Sequence, residues 1–254
     1  MTPGGPAGAA DTAGVPWTGR ELPQQPFADD DGAADPRLEA ALATGSLADV
    51  VTALAPARLL VPVVAVLGED HPVPTHARGD LGADMAMVTL TGADGRRALP
   101  VFTCLATLAR WNPAARPVPV ASARAALAAV AEGCDHLVLD AAGPVTVVVP
   151  RPAVRALGQG LAWTPPADDE ELLAALVAAV RAVPQVQALR AEAVGDAGLR
   201  VLLGITPGLS REALAAVVDA VRAGLAGVEL LAERVDALHL TVLPAWSPPR
   251  SAEG

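Results

Sequence analysis

Few residues in this chain are of types that perform chemistry, and their spacing limits what they can do. There are 2 cysteines and 4 histidines among 254 residues. Cys104 opens the run "CLATLARW". A thiol at a helix N-terminus has a lowered pKa, so Cys104 with His136 as general base is the one nucleophile arrangement to weigh. His71 and His76 stand near Glu69 and Asp70 in one proline-bearing stretch, but a spacing of five is not a recognised ligand pattern. The run "DDDG" at Asp29 to Gly32 fails as a calcium loop, because Phe27 and Leu38 then fall where the first and last carboxylates must be. No metal and no cofactor is expected. Neither a P-loop, a G-x-S-x-G elbow nor a G-x-G-x-x-G turn occurs. "RGD" at Arg78 to Asp80 is read as chance.

The main polar cluster is "DGRRALPVFTCLATLARW", Asp94 to Trp111. Asp94-Gly95 is a hairpin signal. Arg96 and Arg97 begin a strand and must point to opposite faces, because side chains alternate. At most one of them serves a given pocket. Asp84, at the start of the preceding strand, is the expected ion-pair partner of one. Thr103 is read as the cap of the helix running to Trp111, and Trp111 as its seal against the sheet. Arg110 suits the helix C-terminus, where cations are favoured, and Arg116 follows in the return segment. Asp84, Arg96, Arg97, Thr103, Trp111 and Arg116 are therefore the candidate ligand- or partner-binding residues.

Composition sets the frame for these side chains. The chain is 52% hydrophobic and 18% charged, enough apolar content for one large core or two small ones. A net charge of −10 opposes the phosphate backbone, and 2% aromatics leave few stacking platforms, so no nucleic acid partner is expected. Every basic residue is arginine and alanine is abundant, a bias that points to a high-GC bacterial genome. The N-terminus has no signal-peptide pattern and no long apolar run follows. A cytoplasmic protein with no membrane association is expected.

The elements follow from local signals. Residues 1–34 read as a partly ordered arm. Asp35 and Pro36 start a helix that Gly45 stops, and a second helix spans "SLADVVTALA". "ARLLVPVVAVLG" is a buried strand, with Pro62 placing one side of it near an edge or a bulge. "DMAMVTLT" and "RALPVFT" form a hairpin, Ser122 caps a helix, and "DHLVLDA" and "PVTVVVP" turn at Gly143-Pro144 ahead of the short helix "RPAVRALGQG". Residues 161–184 are a linker and a helix, with Asp168 and Glu171 as an acidic capping box. Residues 185–246 read as a β-β-α-β unit whose helix is capped by Ser210, and 247–254 as a disordered tail. The interleaving of hairpins and helices makes the fold α+β, a mixed sheet with packing helices followed by a smaller domain.

Taken together, "RLLVPVVAV", "DMAMVTL", "DGRRALPVFT", "LARW" and "RPVPV", in that order, resemble the SseB family, the enhanced serine sensitivity proteins common in actinobacteria. The resemblance covers about residues 35–160, the SseB N-terminal domain, and the β-β-α-β unit is similar to the family's C-terminal domain. It implies a bacterial protein without established enzymatic activity. The expected function is therefore non-enzymatic, through contacts with a protein partner or regulator, with a homodimer as one form. The alternative is a small-molecule sensor, for an amino acid, that binds between the two domains. A thiol hydrolase using Cys104 ranks below both.

Overall fold

A computed structural model describes residues 27–66, 84–195 and 197–244. The His71/His76 loop, the RGD tripeptide and the tail expected over 247–254 lie outside the described residues, as does most of the arm. Residues 27–31 make a turn of their own, in which Phe27 accepts from Asp30 N at 3.2 Å. Gly32 to Gly254 is a second, compact unit.

The chain begins with α1 (Pro36–Thr44) and α2 (Leu47–Leu54). Asp35 accepts from Arg37 N at 2.7 Å, Pro36 occupies the first turn, and Gly45 closes α1 with φ 72°. These signals act where the sequence places them, because capping satisfies amides that the helix itself leaves open. Strand β1 (Arg58–Val66) then lies between β2 (Asp84–Met87) and β5 (Arg116–Ala121), antiparallel to both.

Pro62 is thus in a central strand, but on the side of its missing N–H, away from β5, the β2 ladder begins only at Val63, so that side lies near an edge as expected. Register explains this. Leu60 exchanges both backbone bonds with Phe102, so the even-numbered amides of β1 point away from β5. Pro62 faces Pro117, and Leu60 faces Pro119, at positions where the β1–β5 ladder requires no N–H.

A second sheet has the order β3 (Leu90–Thr91), β4 (Arg97–Val101), β6 (His136–Leu139), β7 (Val147–Val149). Its only backbone bridge to the first sheet among the described residues is Leu60 to Phe102. "DMAMVTLT" is consequently two strands, not one. Its first half follows β1, its second half pairs Leu90 with Ala98 and Thr91 with Arg97, and the ladder breaks at Val88 and Thr89. The β3–β4 turn is the expected hairpin, with Gly95 at φ 80°.

Helices α3 (Leu105–Trp111), α4 (Ser122–Ala131) and α5 (Arg151–Gln159) complete this half. Its main core takes Leu38 and Leu54 from the first helices, Leu59 and Leu99 from the strands, Ala125 and Ala129 from α4, and Val154 and Leu157 from α5. The alternate residues Leu60 and Phe102 face the other way, with Leu108 and Trp111.

Two expected caps are used otherwise. Thr103 precedes the N-cap Cys104, which makes no side-chain cap bond. The Thr103 hydroxyl instead donates to Asp140 Oδ2 at 2.7 Å. A buried carboxylate is the stronger acceptor and takes it. Ser122 is the first residue of α4, after Ala121, and donates to the Ala57 carbonyl at 2.9 Å, tying the helix start to the foot of β1.

The second half contains α6 (Glu170–Val180), β8 (Val186–Val194), β9 (Gly198–Ile205), α7 (Arg211–Ala226), α8 (Glu229–Arg234) and β10 (Ala237–Pro244). Sheet order is β10-β9-β8, with β9 antiparallel to β8 and parallel to β10. The parallel pair demands a crossover, which α7 supplies. The short helix α8 is an addition to the expected β-β-α-β order. The N-cap of α6 is Asp169, which accepts from Leu172 N at 3.1 Å, one residue later than Asp168. Leu172, Leu176 and Val180 of α6 share a core with Leu199, Leu203 and Val221, so this helix is part of the second core. Gly224 lets α6 and α7 meet closely, since a Cβ there would stand 2.6 Å from the Ala179 carbonyl oxygen.

Asp140 ties α3 to the sheet. It is buried, with φ 51°, and its carboxylate accepts from Thr103 N at 2.9 Å, Thr103 Oγ1 at 2.7 Å and Thr107 Oγ1 at 2.6 Å. Asp140→Ala leaves these buried donors unpaired and is expected to cost about 3 kcal/mol. Asp140→Asn, which tolerates the left-handed backbone, is expected to cost less; urea unfolding of both variants measures the order.

Candidate functional site

The arginine pair divides as strand alternation requires. Arg97 opens β4 exposed, on the face that Leu99 and Val101 turn to the main core, and its Nη2 donates to Thr89 Oγ1 at 3.4 Å. Arg96 turns the other way. Its Nε lies 3.4 Å from Asp94, and its Nη1 lies 3.9 Å from Asp236. Asp84 belongs to β2, opposite Val66 in the other sheet, so β2 is not the partner strand of β4, and the Asp84 side chain lies outside the described residues.

Asp236 is the residue that local pattern did not reveal. It precedes β10 in the second half, and its carboxylate is 10% exposed. Arg151 Nε approaches at 3.0 Å and His136 Nε2 at 3.4 Å. Arg151 Nη2 also donates to the Val235 carbonyl at 3.0 Å. The acceptor and its three cationic or imidazole neighbours come from opposite halves of the chain. A sequence signal for this pairing is lacking, because an aspartate before a strand reads as turn chemistry.

The other candidates are dispersed. Thr103 is buried against Asp140. Trp111 is half-buried, its ring centroid 5.3 Å from that of Phe102, in the sealing position expected. Arg116 is exposed at the start of β5, opposite Val63. Cys104 Sγ contacts Thr107 Oγ1 at 3.6 Å, while His136, its proposed base, is engaged by Asp236. Cys134 is buried, and burial pushes its thiol above the ordinary value of 9.0, with nearby Arg97 opposing the shift and Glu132 and Asp135 adding to it. Among the described residues no group of His, Cys, Asp and Glu side chains is placed to hold a metal ion, and no helix is long and apolar enough to cross a membrane.

The geometry draws attention elsewhere. A cleft of about 690 Å³ lies between α4, α5, the segment at Leu161 to Thr164 and α8. Leu127 and Val130 of α4 and Leu161 line it and are 56%, 52% and 59% exposed. Trp163 contributes an indole Nε1 that is buried without a hydrogen-bond partner. Arg234 lines the cleft with its charge engaged, at 2.9 Å from Asp169 and 2.8 Å from Glu171, and these hydrogen bonds raise its pKa. Arg155 is the exposed cation on the same wall. This cleft and two smaller ones, of about 400 and 190 Å³, are lined by none of Arg96, Arg97, Thr103, Trp111 and Arg116.

Residues 37–156 match the SseB protein N-terminal domain. That match supports the SseB family for this segment of the chain. The matched segment runs from α1 to within α5, so most of the first core lies inside it, while Leu157, Asp236 and α8 lie beyond it. No curated protein matches. Among solved structures, the chain is similar to "MamM V260R" at 26% identity over 30% of this chain and 85% of that one, with a TM-score of 0.25. It is likewise similar to "MamM CTD - Copper form" at 24% identity over 33% of this chain and 91% of that one, with a TM-score of 0.24.

Removing the carboxylate at Asp236 strands a half-buried guanidinium and a buried imidazole. Breaking a buried ion pair costs about 3–5 kcal/mol, and the 29% exposure of Arg151 places Asp236→Ala near or below the lower end; thermal unfolding reads the loss. The raised thiol of Cys134 carries its own sign. The folded state holds its proton to a higher pH than the unfolded state does. That contribution is complete below the ordinary value of 9.0 and is lost as pH rises through the folded value. Stability above pH 9 is therefore expected to fall less steeply in Cys134→Ala than in the parent chain.

Proposed function

We propose that this chain is a non-enzymatic binding protein of the SseB family, and that its recognition site is the cleft between α4, α5 and α8. The ligand is a small molecule with an apolar body and an anionic, hydrogen-bond-accepting head group, and amino acids are the class that fits this description. The observation that supports it is Trp163, a residue of the cleft wall whose indole Nε1 is a buried donor with no acceptor, in a lining that mixes aliphatic with polar and charged side chains. Buried polar groups are nearly always paired, and an unpaired one beside an open volume is where an acceptor from outside would be accommodated. Arg155 offers a counter-charge for a carboxylate on the same wall, since Arg234 is already engaged by Asp169 and Glu171. Ligand sites commonly occupy clefts between packed units, with apolar walls and few polar groups.

The second reading is a protein partner that inserts an apolar side chain at the same place. It is favoured by Leu127, Val130 and Leu161, each more than half exposed around one cleft.

Thermal shift against the twenty amino acids at millimolar concentration tests the first reading. A ligand at about 100 times its Kd stabilises by about 2.7 kcal/mol, and at least one amino acid is expected to raise Tm. Trp163→Phe keeps an aromatic side chain, though a smaller one, removes the donor and is expected to abolish the shift, with the unliganded Tm lowered by the lost packing against the first core but still measurable. No shift for any amino acid overturns the reading, as does a shift that persists unaltered in Trp163→Phe.

A further inference from the structure

The three-stranded sheet of the second half ends in an unusual edge. β8 (Val186–Val194) pairs with β9 on one side, and its other side has no strand partner among the described residues. Such edges are normally shortened, bulged along their length, or guarded by proline and lysine. β8 is nine residues long and contains neither proline nor lysine. Its one irregularity is at Val186/Ala188, which leaves the run from Ala188 to Val194 regular. Two exposed charges of opposite sign sit on this run and share a face, Arg190 and Glu192, with Nε to Oε1 at 3.6 Å and exposures of 65% and 38%.

We propose that β8 is a dimerisation edge, pairing antiparallel with β8 of a second copy of this chain about a two-fold axis through Ala191. The register follows from symmetry and charge. In a continuous sheet, residues directly opposite each other lie on the same face, so the axis must pass through a residue and not between two. An axis through Arg190 sets arginine against arginine, and one through Glu192 sets glutamate against glutamate. Axes through Leu189 or Ala193 leave these charges opposite Ala188 or Val194. The axis through Ala191 sets Arg190 against Glu192 of the second copy and Glu192 against its Arg190. This is the self-complementarity that an isologous interface requires, and opposite charges directly across a ladder are favourable where like charges are not. The two sheets become one of six strands with the α6 and α7 layers on the same side.

Sedimentation of the full chain tests this at micromolar to hundreds-of-micromolar concentration. The parent chain is expected to be dimeric. Arg190→Glu and Glu192→Arg are each expected to raise the dimer Kd tenfold or more, and an equimolar mixture of the two is expected to recover a dimer, since every cross-strand pair is then again of opposite sign. Circular dichroism and the melting temperature of each variant separate dissociation from unfolding. Should either reversal unfold, because Arg200 stands opposite Glu192 within the chain, Arg190→Gln and Glu192→Gln read the same contact as a several-fold loss. A monomeric parent chain overturns the proposal, as do reversals that leave the dimer intact and a mixture that stays monomeric.

Discussion

The carboxylate of Asp236 connects two hydrophobic cores that otherwise form from separate parts of the chain. One core is built on β1, β4 and β6 and the other on β9 with α6 and α7. Arg151, His136 and Arg96 approach Asp236 from the first, and its own backbone amide bonds to Ala197 at 3.0 Å within the second. A carboxylate sheltered to this extent must be paired to remain charged. That requirement holds the starts of α5, β6 and β4 against the entry to β10. The placement of α8, which carries Arg234 into the cleft, follows from the same contact, since α8 ends two residues before Asp236.

Asp140 performs a comparable task inside the first half. It leaves β6 in a left-handed conformation and turns its carboxylate back on Thr103 and Thr107, while its carbonyl accepts from Gly143 N and Thr146 Oγ1. The β6–β7 turn and the start of α3 therefore share one residue. This explains why α3 needs no side-chain cap of its own. The result is that the chemistry-bearing types in the segment Asp94 to Trp111 are occupied by structure. Thr103 serves Asp140, Arg96 serves Asp236, and Trp111 packs against Phe102 with its ring tilted.

The cleft has a different origin. Leu127, Val130 and Arg155 lie on the outward sides of helices whose inward sides, Ala125 with Ala129 and Val154 with Leu157, fill the core. In sequence, such positions look like ordinary helix surface. They become a wall because the segment after α5 and helix α8 pass over them.

Sequence by itself determined what depends on near neighbours. The Asp35-Pro36 start and Gly45 stop of α1, the Asp94-Gly95 hairpin, the Ser210 cap, the alternation that sends Arg96 and Arg97 apart, and the α+β class all follow from interactions spanning a few residues. Tertiary structure decided what depends on competition between distant groups. Thr103 and Ser122 were available as caps, but Asp140 and the Ala57 carbonyl claimed their hydroxyls. Pro62 entered a central strand because partners in β5 and at Phe102 set a register that spares its missing N–H. Arg96 found its inward counter-charge at Asp236, on the far side of the second core's sheet and helices in the chain, a choice no local pattern encodes. Hydrogen bonds and ion pairs are short-ranged in space but indifferent to separation along the chain. A residue's partner is therefore readable from sequence only where the backbone itself brings the two together.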